Sequence, residues 1–513
     1  MCGVPWAVLG RLDTGSVFPA EYGNFRPVTG NVPNNMSDAP KQPNIVIFMP
    51  DEQRWSAVGY AGNNVIKTPN MDRLAAEGTP FSNCFVTHTV CTPSRISMFT
   101  GWYPHVSGHR TLWYMLRNHE PNGLRYLKQA GYHVEWWGKN DLLAPDSFPS
   151  SVSHRGEIEI ERGKWMPNPW PVDDQWRRTF YYGERPEANS YDMDRQWIDG
   201  AIEFLNSDPP EPFFLYLPLF FPHPPYWVEE PYFSMYDRDE MPAPVPVNGH
   251  KGKPTYYPEI HHSYDLDKLS EEQYREIVAV YYGMISRLDD QLGELREALA
   301  RNGLADQTAT MFFSDHGDYV GDYGLTEKWP TGYEDNLIRV PMVVHAPWLE
   351  PQPMSDELVE IIDVLPTMLD IAGVELNHDQ FGKSLMPIAR GEDVELRDAV
   401  FCEGGHGDRE RQSLELVNGD SDPNYVYYQK GRIQTDNPDS VCKASMVRTR
   451  RWKYIRRVAD TDELYDMEND PAELENLVDR PEHAEVRHEL EYRLVQWYLE
   501  TGDVVPFDKD PRS

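Results

Sequence analysis

From residue 44 onward, short apolar runs alternate with amphipathic stretches, and the two periodicities predict an α/β fold. Asn44–Met49 is a run of strand type, and Thr68-Pro69 opens a short helix with Leu74 and Ala75 turned inward and Gly78 ending it. Leu124–Ala130 reads as a helix closed by Gly131. His133–Trp137, Phe213–Leu219, Thr310–Phe313 and Pro341–His345 read as strands. Ser270-Glu271-Glu272-Gln273 has the capping-box pattern of a long helix, with Leu288, Leu292, Leu295 and Leu299 as its apolar stripe and Asn302-Gly303 as its stop. Strands alternating with helices predict a large, mostly parallel sheet sandwiched by helices.

Past Ser384-Leu385-Met386-Pro387 the pattern changes. Residues 391–445 are polar and irregular. Ser445–Thr449 and Trp452–Arg456 then read as a hairpin, and Ala484–Leu499 as a terminal amphipathic helix carrying Val486, Leu490, Leu494 and Trp497. This predicts a smaller C-terminal α+β subdomain with a short antiparallel sheet, giving an N-terminal extension (1–40), a catalytic domain (41–390) and a C-terminal subdomain (391–513). The extension is rich in Gly, Pro and Asn, with Met36 as an alternative start. Two segments rich in Pro, Tyr and Trp, 143–195 and 224–265, read as loops that shape a pocket. Their aromatic residues (Trp165, Trp170, Trp176, Tyr226, Trp227, Tyr256, Tyr257) either stack on a sugar or aryl ring or anchor the loops.

A length of 513 residues favours one large domain with a smaller one. The formal net charge of −35, from 48 basic and 83 acidic side chains, argues against nucleic acid and anionic membranes as partners. Any anion site must then be built from a few placed cations or a metal. The five cysteines are scattered and without C-x-x-C spacing, which predicts a reducing, cytoplasmic setting. No apolar run reaches membrane-spanning length, and Met1–Phe25 lacks the basic start and apolar centre of a secretory signal. A homo-oligomer is left open.

Four predicted strands end in residues with chemistry: Asp51-Glu52, then Lys139 and Asp141, then His223, then Asp315-His316. Ligands in parallel sheets collect at the carboxyl ends of the strands. There, clustered carboxylates repel one another unless a cation lies between them. Three acidic oxygen donors with an imidazole suit one divalent ion; calcium is favoured by the oxygens, with manganese or magnesium left open by His316. The stretch Cys91-Thr92-Pro93-Ser94-Arg95 adds a thiol at a helix start, with Arg95 one turn on, so that an anion at Cys91 meets backbone N–H groups and a guanidinium together.

This stretch resembles the C-x-P-S-R signature of type I sulfatases. Pro43–Asp51 is similar to the family's opening strand, Thr68–Gly78 to its T-P-N-[MLI]-D-x-L-A-x-x-G helix, Ser314–Gly324 with Lys328 to its S-D-H-G block, and Asp462–Leu477 to its C-terminal E-L-Y-D signature. The likeness runs in order from about residue 42 to 480 and implies the sulfatase branch of the alkaline phosphatase superfamily. It implies oxidation of Cys91 to formylglycine by a formylglycine-generating enzyme, and attack of the formylglycine hydrate on a sulfate ester of a small molecule or saccharide. It further implies Asp51, Glu52, Asp315, His316 and the modified Cys91 at the metal. Arg95 would hold the hydrate, Lys139 and Lys328 the sulfate oxygens, and His223 the ester oxygen or a sulfate oxygen.

Two departures matter. Asp51-Glu52 and Asp315-His316 replace the family's frequent Asp-Asp and Asp-Asn, the latter change resembling choline sulfatases and phosphonate monoester hydrolases. Asp141 stands where many members carry a histidine that contacts the nucleophile, and His109 is a candidate to take over part of its work. The leading expectation is sulfate monoester hydrolysis. Its alternatives are a phosphonate monoester or phosphodiester hydrolase and, in another class, an inactive binding protein on the same fold.

Overall fold

The computed structural model describes residue 40, residues 42–158 and 168–407, residues 410 and 423, and residues 425–506. The expected N-terminal extension up to residue 39, and Trp165, lie outside the described residues. In chain order the strands are β1 (Asn44–Asp51), β2 (Thr79–Phe85), β3 (His133–Trp136), β4 (His154–Arg155), β5 (Tyr181–Glu184), β6 (Phe213–Pro222) and β7 (Tyr226–Val228). There follow β8 (Thr308–Phe313), β9 (Arg339–His345), β10 (Ser355–Glu360), β11 (Val400–Gly404), β12 (Ala444–Arg448), β13 (Trp452–Arg457) and β14 (Glu463–Asp466).

Eight strands form the main sheet in the order β10-β2-β9-β8-β1-β6-β3-β4. All neighbours run parallel except β9, which is antiparallel to both β8 and β2. The reason is local: the loop after β8 stays on the rim where β8 ends, and the short helix Asp335–Ile338 passes straight into β9. With no crossover to carry the chain back, β9 must return antiparallel. The central strands β1 and β8 are buried at every position, as strands covered by helices on both faces should be. The long helix Glu271–Arg301 starts with the expected capping box, in which the Ser270 side chain accepts from Gln273 N and the Gln273 side chain from Ser270 N. Its Leu288, Leu292, Leu295 and Leu299 are buried against the core.

A four-stranded antiparallel sheet, β11-β12-β13-β14, follows in the C-terminal part, with β12 and β13 forming the expected hairpin. The terminal helix Ala484–Thr501 packs Leu490, Leu494 and Trp497 onto Val447 and Tyr454 of that sheet, with Val486 half-buried at the edge. No helix among the described residues is long and apolar enough to cross a membrane. Cys84, Cys91, Cys402 and Cys442 are free thiols.

The architecture sets the site. Strands β1, β2, β3, β6 and β8 point the same way, so their carboxyl ends share one rim.

Candidate active site

Each strand hands its first loop residues to that rim. β1 ends in Asp51, and Glu52 follows with φ of 76°, a left-handed conformation unusual for a non-glycine residue. Two contacts hold it there: Glu52 N donates to Asp315 Oδ1 (3.1 Å), and the Glu52 carbonyl accepts from Tyr281 Oη (2.8 Å). After β2 the chain enters the helix Cys91–Thr100, every residue of which is buried. Val90 leads in with an extended backbone, Pro93 occupies the first turn where its missing N–H is harmless, and Gly101 closes the helix at φ of 67°. Ser94 Oγ donates to the Asp315 carbonyl (2.7 Å), locking the helix start to the end of β8.

The side chains converge on Cys91. Its Sγ lies 3.4 Å from Asp51 Oδ1, 3.3 Å from His316 Nε2 and 3.8 Å from Lys139 Nζ. Arg95 bridges the two carboxylates, donating from NH2 to Asp51 Oδ2 (2.8 Å) and from Nε to Asp315 Oδ2 (2.8 Å). Lys139 donates to Asp51 Oδ2 at 2.7 Å. On the far side, Lys328 Nζ donates to Glu52 Oε2 (2.8 Å) and to His223 Nε2 (2.9 Å). The residues singled out at four strand ends, in the Cys91 segment and at Lys328 thus form one cluster, His109 excepted.

Electrostatics assign protonation states. Burial opposes ionisation of Asp51, but Lys139 and Arg95 hold its carboxyl well below the usual carboxylate range. Burial pushes the Cys91 thiol well up, and Asp51 adds to this, so a thiolate is disfavoured here. Burial also lowers His316 and His223, the latter helped by Lys328, which leaves both imidazoles neutral near pH 7. His223 Nδ1 faces the Pro224 carbonyl at 2.7 Å and must carry the proton, so Nε2 is the acceptor for Lys328. Lys328 is raised by Glu327 and Glu52 despite its burial, and remains the charged partner.

The donors fit a divalent cation. Asp51, Cys91, Asp315 and His316 each offer an atom, all within 4.8 Å of one another; Asp51, Glu52 and His223 form a second such group. Glu52 is the clearest sign. Burial pushes its carboxyl well above the usual range; Lys328 counters this, while Asp318, Glu327 and Asp51 add to it. Its Oε1 is buried with no hydrogen-bond partner. A cation at that oxygen would relieve both conditions.

Three features were not legible in the sequence. His109 is buried, but its Nδ1 meets the Tyr114 carbonyl (2.6 Å) and its Nε2 meets Glu120 Oε1 (3.0 Å). The structure joins it to Glu120 and not to Cys91, so the expected help to the nucleophile has no contact behind it. Asp141, read as a lost histidine, instead sets its carboxylate 2.8 Å from Lys139 Nζ and 3.9 Å from Arg95 NH1. Behind Lys328, Glu327 is held by Lys430, whose Nζ donates to both carboxylate oxygens (3.0 and 2.8 Å). Lys430 sits on the helix Tyr428–Asp436, in a stretch without any motif spacing. Of the loop aromatics, Tyr226, Tyr256 and Tyr257 are fully buried, with Tyr226 Oη donating to Asp318 (2.8 Å), and Trp170, Trp176 and Tyr181 pack on one another. Tyr226, Tyr256 and Tyr257 are loop anchors.

A family model described as Sulfatase matches residues 43–374, and one described as N-sulphoglucosamine sulphohydrolase, C-terminal, matches residues 411–500. Among curated relatives, the multifunctional alkaline phosphatase superfamily protein PehA of Trinickia caryophylli is 27% identical, over 85% of this chain and 90% of that protein. An arylsulfatase of Clostridium perfringens is 26% identical, over 86% of this chain and 92% of its own. Among solved structures, the phosphonate monoester hydrolase of Agrobacterium radiobacter shares the fold with a TM-score of 0.71 at 22% identity, covering 90% of this chain and 96% of that one. With the Cys91 cluster placed on the rim of such a sheet, and the family model spanning well over half its length, this chain belongs to the sulfatase family of the alkaline phosphatase superfamily and is a sulfuric ester hydrolase.

Proposed function

We propose that the enzyme hydrolyses a sulfate monoester of an aryl, alkyl or carbohydrate alcohol, releasing the alcohol and inorganic sulfate, with Cys91 converted to formylglycine. The observation that carries this reading is the position of Cys91. It stands at a helix start, among Asp51, His316, Lys139 and Arg95, as a thiol too buried beside carboxylates to serve as a thiolate. Its Sγ marks where the oxygens of a formylglycine hydrate would lie; one of them would bond to sulfur as the ester S–O bond breaks and the alcohol leaves, and the other hydroxyl would then expel sulfate by breaking the C–O bond, giving back the aldehyde that water rehydrates. A divalent ion, for which calcium suits the oxygen-rich donors and manganese or magnesium are the alternatives, would be held by Asp51, Glu52, Asp315, His316 and the modified Cys91. It would withdraw electron density from sulfate oxygens.

The chain's own cations do the rest. Arg95, fixed between Asp51 and Asp315, orients the nucleophile; Lys139 and Lys328 face the charge that develops on the transferring group. Lys328 donates to neutral His223, and the pair would hold a proton for the departing alkoxide oxygen. Maturation calls for a formylglycine-generating enzyme. The free cysteines favour a reducing, cytoplasmic setting, and the oligomeric state is open. Residues 41–390 serve as the catalytic domain and 391–513 as a C-terminal subdomain that reaches back through Lys430.

A second reading has its own support. His316 in place of the family's frequent asparagine, together with Asp141, favours hydrolysis of a phosphonate monoester or phosphodiester by the same nucleophile. Turnover of 4-nitrophenyl sulfate against 4-nitrophenyl phenylphosphonate by protein whose Cys91 conversion has been verified by mass tests both. Preference for the phosphonate ester over every sulfate ester tried would replace the first reading by the second, and inactivity on all of them would leave the binding-protein alternative.

A further inference from the structure

Within the charged cluster, burial is uneven. Asp51, Glu52, Arg95, Asp315, His316 and Lys328 are all essentially closed to solvent, whereas the side chains of Lys139 and Asp141 are 18% and 16% exposed. An arriving anion therefore meets the Lys139–Asp141 pair first. Asp141 is not a stray surface carboxylate. Asn140 Oδ1 accepts from Leu142 N (3.3 Å) and Leu143 N (3.0 Å), fixing the turn that aims Asp141 inward at Lys139 and towards Arg95.

Charge counting gives this placement a consequence. Four carboxylates (Asp51, Glu52, Asp315, Asp141) face three permanent cations (Arg95, Lys139, Lys328), while Glu327, also on Lys328, is offset by Lys430. Both histidines count as neutral by their contacts: each turns Nδ1 to a backbone carbonyl (Pro224 at 2.7 Å, Gly317 at 3.0 Å), which leaves Nε2 as a lone-pair donor, to Lys328 in His223 and towards the cation site in His316. With a divalent ion bound, one positive charge remains, which balances a transferring group of one negative charge. Without Asp141 the balance would suit a dianion. We infer that Asp141 is a specificity-determining residue that tunes the site, through Lys139, to esters with a singly charged transferring group. Those are sulfate monoesters, phosphonate monoesters and phosphodiesters, and the excluded class is phosphate monoesters. The inference rests on the proposed ester hydrolysis but not on which of its two readings holds.

The test compares three 4-nitrophenyl esters (sulfate, phenylphosphonate and phosphate) on metal-loaded wild type and Asp141→Asn. At about pH 8 the phosphate ester is a dianion, its second ionisation lying near 6. Asp141→Asn should raise the phosphate-to-sulfate ratio of kcat/KM by about tenfold, the effect of one unit charge at close range in a partly screened site. The phosphonate-to-sulfate ratio should stay within about twofold, since those two esters carry the same charge. Asp141→Glu should keep the wild-type ratios. Binding read without turnover should agree: in a Cys91→Ala background, Asp141→Asn should favour sulfate dianion over sulfamate monoanion in calorimetry. An unchanged phosphate-to-sulfate ratio, or phosphonate rising in step with phosphate, would overturn the inference. If Asp141→Asn does not fold, Asp141→Ser removes the same charge. If wild type ignores every sulfate ester, the sulfate reading fails, and the phosphate-to-phosphonate ratio still decides the role of Asp141.

Discussion

Replacing Lys328 by alanine separates catalysis from stability, because the proposed mechanism gives this side chain the first role and its buried ion pairs give it the second. Its ammonium is buried between Glu52 Oε2 and Glu327 Oε1, each at 2.8 Å, and donates to His223 Nε2. Removing one partner of a buried ion pair costs about 3–5 kcal/mol, mostly through the charge left behind. Here the cost should fall at the low end, about 3 kcal/mol. Lys430 still holds both oxygens of Glu327, and Glu52, already pushed upward by burial, can shed its charge by taking a proton. The catalytic loss is separate. A preorganised donor facing developing negative charge contributes about 10²–10³ in kcat, or about 3 kcal/mol or more. The assay is 4-nitrophenyl sulfate turnover by metal-saturated Lys328→Ala with verified Cys91 conversion, alongside urea unfolding with and without metal. We expect kcat/KM to fall at least a hundredfold. The destabilisation should be smaller with metal bound, because the cation replaces Lys328 as the partner of Glu52. A folded variant that retained more than about a tenth of wild-type kcat/KM would refute the assignment of Lys328 to the transferring group.

Other outcomes follow from the same geometry. Protein made with a formylglycine-generating enzyme should be about 18 Da lighter at Cys91 than the unmodified chain, and Cys91→Ala should fold but lose nearly all turnover; full activity in that variant would end the proposed mechanism. Chelation should abolish activity and calcium or manganese restore it, with Asp315→Ala doing the same damage irreversibly; normal turnover by metal-free protein would show the cluster to be misread. His109→Gln should lower stability through the lost Glu120 contact while leaving kcat/KM of the folded fraction within about threefold, and a selective catalytic collapse would return His109 to the site. His88 gives a pH test. It is buried with Nε2 unpartnered, and burial, then His316, lowers it from 6.5 to about 3. The folded state thus binds fewer protons, and stability held above pH 6.5 is lost as the pH falls towards 3. Relative to His88→Asn, wild type should lose about 1.4 kcal/mol per pH unit in that window, about 2 kcal/mol by pH 5; a difference flat in pH would refute the buried neutral imidazole.

What the sequence made legible was whatever carries a strong local pattern. Apolar runs bounded by Gly and Pro gave the strands, and the Ser270 capping box and leucine stripe gave the long helix. Chemistry at strand ends gave the rim, because a parallel sheet delivers those ends to one place whatever the loops do. The reversed direction of β9 was not legible, since a strand's direction depends on where the preceding loop travels and not on its own residues. β10 was missed for a related reason: Ser355–Glu360 opens with exposed polar positions and only its last half is buried, so its alternation is weak. His109 was misplaced because a histidine beside a glycine turn gives no sign of its partner; Glu120, eleven residues on, becomes its neighbour only through the fold.

The residues whose contacts were not legible in the sequence share a physical role. Asp141 and Glu327 touch the cations of the site and not its centre, Asp141 on Lys139 and Glu327 on Lys328, and Lys430 holds Glu327 in turn. Each cation aimed at an anionic substrate must also be held in place before the substrate arrives, in a chain whose net charge is −35. Carboxylates do that holding, and every one that holds a cation also subtracts from the attraction offered to substrate. The balance is set differently on the two sides. Glu327 is itself neutralised by Lys430, so of the two carboxylates on Lys328 only Glu52 offsets it, whereas Asp141 is partly exposed and offsets Lys139 directly. Both Glu52 and Glu327, the two carboxylates gripping Lys328, sit at positive φ (76° and 65°), a backbone cost of about 1–3 kcal/mol each. Strain of that size is tolerated where the surrounding contacts over-determine it, and here it fixes an ammonium against Glu52 and His223. The C-terminal part of the chain is therefore not an appendage to the site: through Lys430 it holds and neutralises Glu327, one of the two carboxylates on Lys328.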